Sequence, residues 1–173
     1  MASSTCCGMP CGSSALILVT VGTQLPFDRL IESVDRWAKR TGRRDIVAQV
    51  GPTSYRPGNM EWHDFISPDR FQELQADAEL LIAHCGMGSI LSALVIGQPV
   101  LVMPRRHALG EHRNDHQLAT ARRLSSLAGV HVALDPQQLS AKLDQLSSLA
   151  GSRPIPCKAP PEFSARLASF IAS

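Results

Sequence analysis

"LLIAHCGMGSILSALVIGQPVLVMPRR", residues 80–106, decides how this chain is read. An apolar run ends in a break of small residues, His84-Cys85-Gly86-Met87-Gly88-Ser89. A short apolar segment follows, then a second apolar run that stops at Pro104 and the pair Arg105-Arg106. Apolar runs this short, bounded by glycine and proline, predict strands covered on both faces, as in a parallel sheet. The segment "SILSALVI" between them predicts the helix that carries the chain across.

The same plan appears upstream in "ALILVTVGTQLPFDRLIESVDRWAKRTG": a strand, a glycine turn at residues 21–24, then a helix. Phe27, Leu30, Ile31, Val34, Trp37 and Ala38 fall on one helical stripe. Pro26 suits the helix start, and Lys39, Arg40 and Gly42 suit its end. "DIVAQV", stopped by Gly51-Pro52, and "MEWHDFI" predict two more strands, and "SPDRFQELQADA" a helix. Downstream, "RNDHQLATARRLSSL" predicts a helix with Leu118, Ala121, Leu124 and Ala128 apolar, "GVHVAL" a short strand, and "PQQLSAKLDQLSSL" a further helix. Strands alternating with helices at this rhythm predict the α/β class, a Rossmann-like parallel sheet with helices on both faces.

At 173 residues and 44% hydrophobic content, the chain suits one main domain. The expected division is a disordered leader at 1–14, the globular domain at 15–150, a Pro/Gly/Ser-rich linker at 151–160 and a helix at 161–173. That last helix carries Phe163, Leu167, Phe170 and Ile171 at helical spacing, to pack at home or to dock on a partner. A formal charge of +2 announces no nucleic-acid surface, so no nucleic acid is expected as partner. Five cysteines, at 6, 7, 11, 85 and 157, make no disulfide framework, and three of them fit a reduced cytoplasmic leader. Residues 15–21, "ALILVTV", are too few to span a bilayer.

Two glycine turns close strands, "VGTQ" at 21–24 and "HCGMGS" at 84–89. In a parallel α/β sheet ligands bind at the carboxyl ends of the strands, where such turns let a phosphate approach backbone N–H groups. Neither turn carries G-x-G-x-x-G or G-K-[ST], which sets aside nicotinamide and P-loop chemistry, and no cofactor is expected. The pair fits a diphosphate cradle. The loop 103–117 adds Arg105, Arg106, His107, Glu111, His112, Asn114, Asp115, His116 and Gln117 at the same rim. So many hydrogen-bonding groups suit a polyhydroxylated ligand, although singly they suit a solvated loop in which Asn114 or Asp115 caps the next helix. His112 and His116, four apart, lack a third ligand and the H-E-x-x-H order. Cys7 and Cys11 lack a paired set as well, so no metal site is expected.

With these residues, "ILVTVGTQLPFDRLIESVD", "LLIAHCGMGSILSALVIGQPVLVMP" and "NDHQLATA" in order, the chain resembles the carboxyl-terminal, donor-binding half of GT-B glycosyltransferases of family 28. The nearest branch looks like the small catalytic subunit of the two-subunit N-acetylglucosaminyltransferase of the dolichol pathway and the bacterial exopolysaccharide subunits similar to it. The resemblance implies a UDP-sugar site. Gly22 and Thr23, with Gly86, Met87, Gly88 and Ser89, would hold the diphosphate, and His84 would lie beside it. Phe65 and Ile66 would border the base, and Asn114, His116 and Gln117 would face the sugar. A ribose-binding glutamate of related enzymes is replaced here by Ser92, a weaker partner.

The resemblance also implies an inverting transfer to a lipid-linked acceptor. A membrane-anchored, acceptor-binding glycosyltransferase subunit would hold that acceptor, in polysaccharide or glycolipid biosynthesis at the cytoplasmic face of a membrane. Glu111, His112 and Asp115 are the candidates for a catalytic base in this chain, and the role stays open among them. Arg105 and Arg106 suit the carboxylate of an acidic donor sugar or, equally, a solvated pair. The competing reading is a non-catalytic nucleotide-sugar-binding module that regulates or scaffolds a partner.

Overall fold

The computed structural model describes residues 16–155. In chain order the strands are β1 (Leu16–Thr20), β2 (Ile46–Gln49), β3 (Glu61–His63), β4 (Ala78–His84), β5 (Val100–Met103) and β6 (Val130–Val132). The helices are α1 (Asp28–Thr41), α2 (Pro68–Asp77), α3 (Met87–Ile96), α4 (His116–Leu124) and α5 (Pro136–Asp144). Every strand and helix read from the sequence within this range is present. All five strand pairings are parallel, in the order β3-β2-β1-β4-β5-β6.

The apolar runs form strands because both faces of the sheet are covered. On one face Ile17, Val19 and Ile82 pack under α1 and α5, through Leu30, Ile31, Val34, Trp37, Leu139 and Leu143. On the other, Leu18, Leu81, Ala83, Val100 and Val102 pack under α2, α3 and α4, through Leu74, Ile90, Ala93, Leu94 and Ala121. Each fully buried leucine or isoleucine contributes about 2 kcal/mol of transfer free energy. Alternate residues of one strand therefore feed two separate cores, which is why β1 and β4 read as unbroken apolar runs rather than alternating ones.

Caps fix where the helices begin. Ser67 accepts from Arg70 N at the start of α2 and Asp135 from Gln138 N at the start of α5, each followed by proline in the first turn. Helix α4 departs from expectation in two ways. Asp115 takes its N-cap position, but the side chain turns away to accept from His107 N at 2.8 Å. Of the apolar stripe expected on it, Ala121 alone is fully buried; Leu118 and Leu124 are half-buried, and Ala128 lies beyond the helix end. The sheet beneath that helix ends in β6, three residues long, and offers little surface to cover.

A buried carboxylate shapes the loop from β2 to β3. Asp35 on α1 accepts from Tyr55 Oη at 2.8 Å, from Asn59 N at 2.8 Å and from Gly58 N at 3.1 Å. Burial alone would raise the Asp35 pKa, yet these donors hold it below its usual value. Residues 151–155 stay against the domain: Ser152 N donates to Gly97 O and Ile155 N to Leu94 O. The leader at 1–14 with Cys6, Cys7 and Cys11, the rest of the linker with Cys157, and the helix expected at 161–173 lie outside the described residues. Among the described residues no helix is long and apolar enough to cross a membrane.

Candidate functional site

The strand order reverses between β1 and β4, and both glycine turns leave the carboxyl ends of those two neighbouring strands. In open α/β sheets that reversal opens a crevice in which ligands bind. His84, the last residue of β4, lies beneath both turns. A Cβ at Gly22 would stand 3.0 Å from the His84 ring, and one at Gly86 would collide with its Nε2. Gly22 carries a second requirement, a φ of +80° that side chains rarely adopt. Both glycines let the turns close over one imidazole.

Above this floor lies a cavity of about 250 Å³ bordered by Gly22, Thr23, His84, Gly88, Ser89, Arg105, His112 and Gln117. The first turn of α3 faces it with N–H groups that have no partner within the helix, so the positive end of a helix meets a glycine turn. Thr23 also borders a second cavity of about 340 Å³, with Gly51, Thr53, Arg56, Asp64 and Phe65, so the groove continues along the rim. Leu25 and His112 border a third, of about 460 Å³, with Phe27, Arg29, Leu109 and Arg113.

Arg105 is not a solvated cation. It is 2% exposed, and its Nη2 donates to Val21 O and to Leu25 O, each at 2.7 Å. Its backbone N donates to Oε1 of buried Gln117 at 3.1 Å. The guanidinium clamps the turn after β1 to the end of β5. Arg106 likewise donates to Leu134 O at 2.7 Å. Glu111 is committed as well: Arg29 meets both of its oxygens, Nε to Oε1 at 2.7 Å and Nη2 to Oε2 at 2.8 Å, and Arg106 N donates to Oε2. This pair ties the loop 104–111 to α1.

Burial, then the charge of Arg105, pushes the His84 pKa down to about 4. An unfolded histidine titrates near pH 6.5. Between those values the unfolded chain holds more protons than the folded one, so stability falls as pH drops through this window and is fully present above it. Urea titrations at successive pH values should show that loss, and His84→Gln should flatten it.

Of the residues expected at the site, Gly22, Thr23, His84, Gly88, Ser89, Arg105, His112 and Gln117 meet at one cavity. Gly86 forms its turn, while Met87 next to it is 48% exposed. Phe65 stands at the second cavity. Ile66 packs into the core on the α2 side, with its backbone N donating to Gln49 Oε1. Asn114 and His116 are exposed at the start of α4, in contact with each other. Ser92 is turned elsewhere: its hydroxyl donates to Ser89 O and accepts from Gln75 Nε2. Sequence reasoning missed Arg29, Gln49 and Arg56. For Arg29 a signal existed, since a cation in the first turn of a helix opposes the helix dipole and calls for an anionic partner.

The family described as "Glycosyltransferase family 28 C-terminal domain" matches residues 16–154. The chain is 34% identical over 74 residues to the UDP-N-acetylglucosamine–N-acetylmuramyl-(pentapeptide) pyrophosphoryl-undecaprenol N-acetylglucosamine transferase of Rhodospirillum rubrum, over 40% of this chain and 18% of that protein. It is 30% identical over 116 residues to the UDP-N-acetylglucosamine transferase subunit ALG13 of Mus musculus, over 61% of this chain and 10% of that protein. It thus spans less than a fifth of the length of these relatives. The solution structure of ALG13 superposes with a TM-score of 0.58 at 20% identity, over 92% of this chain and 98% of that one.

Proposed function

We propose, for a chain that belongs to the glycosyltransferase family 28 C-terminal domain family, that it is the donor-binding catalytic part of an inverting UDP-sugar glycosyltransferase. Its fold is the Rossmann-like carboxyl-terminal half of a GT-B enzyme. The acceptor is lipid-linked and held by a membrane-associated partner subunit, in polysaccharide or glycolipid biosynthesis. One observation carries the reading: both glycine turns close over His84 at the reversal between β1 and β4, beside the start of α3. A partner is supported by the name of a relative, which is a transferase subunit.

The chemistry follows from the rim. An acceptor hydroxyl attacks the anomeric carbon as the bond to the diphosphate breaks. The departing charge is met by the N–H groups of Met87, Gly88 and Ser89 at the start of α3 and by the turn at Gly22. These groups are positioned before the charge develops, so little reorganisation is needed as the bond breaks. Phe65 and the second cavity receive the nucleoside end, and Gln117 stands where a sugar hydroxyl would reach.

Calorimetric titration of the purified chain tests this with UDP, UDP-glucose, UDP-N-acetylglucosamine, UDP-glucuronate and GDP-mannose. Binding of the uridine ligands in preference to GDP-mannose is expected. Equal binding of all, or of none, would count against the donor-site reading.

A further inference from the structure

We propose that His112, which borders both the donor cavity and the adjoining cavity of about 460 Å³, is the proton acceptor of this half. The inference rests on the donor-site reading above. A group that takes the acceptor's proton must reach both the donor sugar and whatever approaches it, and His112 borders both spaces.

Three observations single it out. Its Nδ1 is enclosed and makes no hydrogen bond of good geometry among the described residues, although the backbone of Asn114 bears on the ring. The ring is braced edge-on by His116, with centroids 4.5 Å apart and planes at 78°, while His112 O contacts His107 Nδ1 at 3.1 Å. The other two candidates are committed: Glu111 to Arg29 and Arg106 N, Asp115 to His107 N.

The groups around the ring set its protonation. Arg105 from the end of β5, Arg113 in its own loop, His116 on α4 and His84 on β4 bear on it, and the two nearby carboxylates, Glu111 and Asp115, are engaged elsewhere. Burial, then His116 and the two cations, lowers the pKa of His112, so the free chain holds a neutral ring able to accept. A bound diphosphate brings negative charge into the same cavity and favours the protonated form.

The step balances. The acceptor oxygen bonds to the anomeric carbon, the carbon–oxygen bond to the diphosphate breaks with its electron pair leaving on the diphosphate, and the acceptor's proton passes to His112. The resulting imidazolium then faces the departing anion across the cavity.

The test uses UDP, the departing group itself, and needs neither acceptor nor partner. In the full chain labelled with ¹⁵N-histidine, at about pH 7, ring nitrogen spectra are recorded without and with saturating UDP; His112→Gln identifies the signal. The expected result is a neutral pattern that becomes protonated on binding. UDP affinity should fall as pH rises, by up to about tenfold per unit for one linked proton, with a shallower slope in His112→Gln. A His112 signal that stays neutral at saturation, or a slope unchanged in the variant, would overturn the proposal while leaving the donor site standing. Absence of any UDP or UDP-sugar binding would overturn the donor site, and this proposal with it.

Discussion

Gly86→Val should weaken UDP-glucose binding and unsettle the fold together. The added Cβ falls on His84 Nε2, a side chain with nowhere to retreat because Gly22 covers the ring from the other turn. Overpacking of this kind costs about 1–3 kcal/mol. Relief requires either the turn after β4 or the ring itself to move, and each displaces the N–H groups at the start of α3. Calorimetry with UDP-glucose should therefore show at least about a tenfold loss, equivalent to about 1.4 kcal/mol, alongside a lowered urea midpoint. Adding His84→Ala should recover part of the midpoint without restoring affinity. If Gly86→Val binds and folds like the unmodified chain, the two turns do not close on a common imidazole.

Arg105→Ala should be more damaging to stability than any change at the exposed arginines. It leaves Val21 O and Leu25 O without their donor and removes a guanidinium centred 5.1 Å from the Phe27 ring. The buried Val21 O left unsatisfied costs about 1–3 kcal/mol, and the part-buried Leu25 O adds less. A total near 3 kcal/mol lowers the melting temperature of a domain this size by about 9 °C. Arg105→Lys should recover little, since one ammonium cannot reproduce the fork that meets both carbonyls. Exposed Arg122 and Arg123 serve as controls, expected to change stability by no more than about 0.5 kcal/mol. A mild Arg105→Ala would mean that the turn after β1 holds itself in place.

These two residues mark what the sequence discloses and what it withholds. The runs at Leu16–Thr20, Ala78–His84 and Val100–Met103 are legible because burial on both faces leaves polar residues only at or beside their ends, at Thr20, Glu79 and His84. The stripe on α1 is legible because one face meets the core. Glycine positions were legible as turns, but not the reason for them, since His84 is distant in sequence from Gly22 and meets it through the pairing of β1 with β4. Arg105 reads from the sequence as a partner for a sugar carboxylate or as a solvated cation, because composition says nothing of carbonyls brought to it from residues 21 and 25. Ser92 shows the same limit: the resemblance set it where related enzymes carry a ribose-binding glutamate, whereas Gln75 on a neighbouring helix claims its hydroxyl. Local patterns are written in local sequence; partners that arrive by tertiary pairing are not.

The pairing of β1 with β4 has a consequence for how the chain acquires its site. Leu16 lies beside Ala78 and Thr20 beside Ala83, so closing the cradle means closing the long loop of chain that carries α1 and α2 between them. Such non-local contacts form slowly, because loop-closure entropy is spent before they are rewarded. A nascent chain halted before β4 would lack one of the two strands from which the glycine turns leave. On the proposed donor-site reading, nucleotide capture would therefore double as a reporter of completed folding: any ligand that binds the cradle deepens the whole native basin rather than one loop.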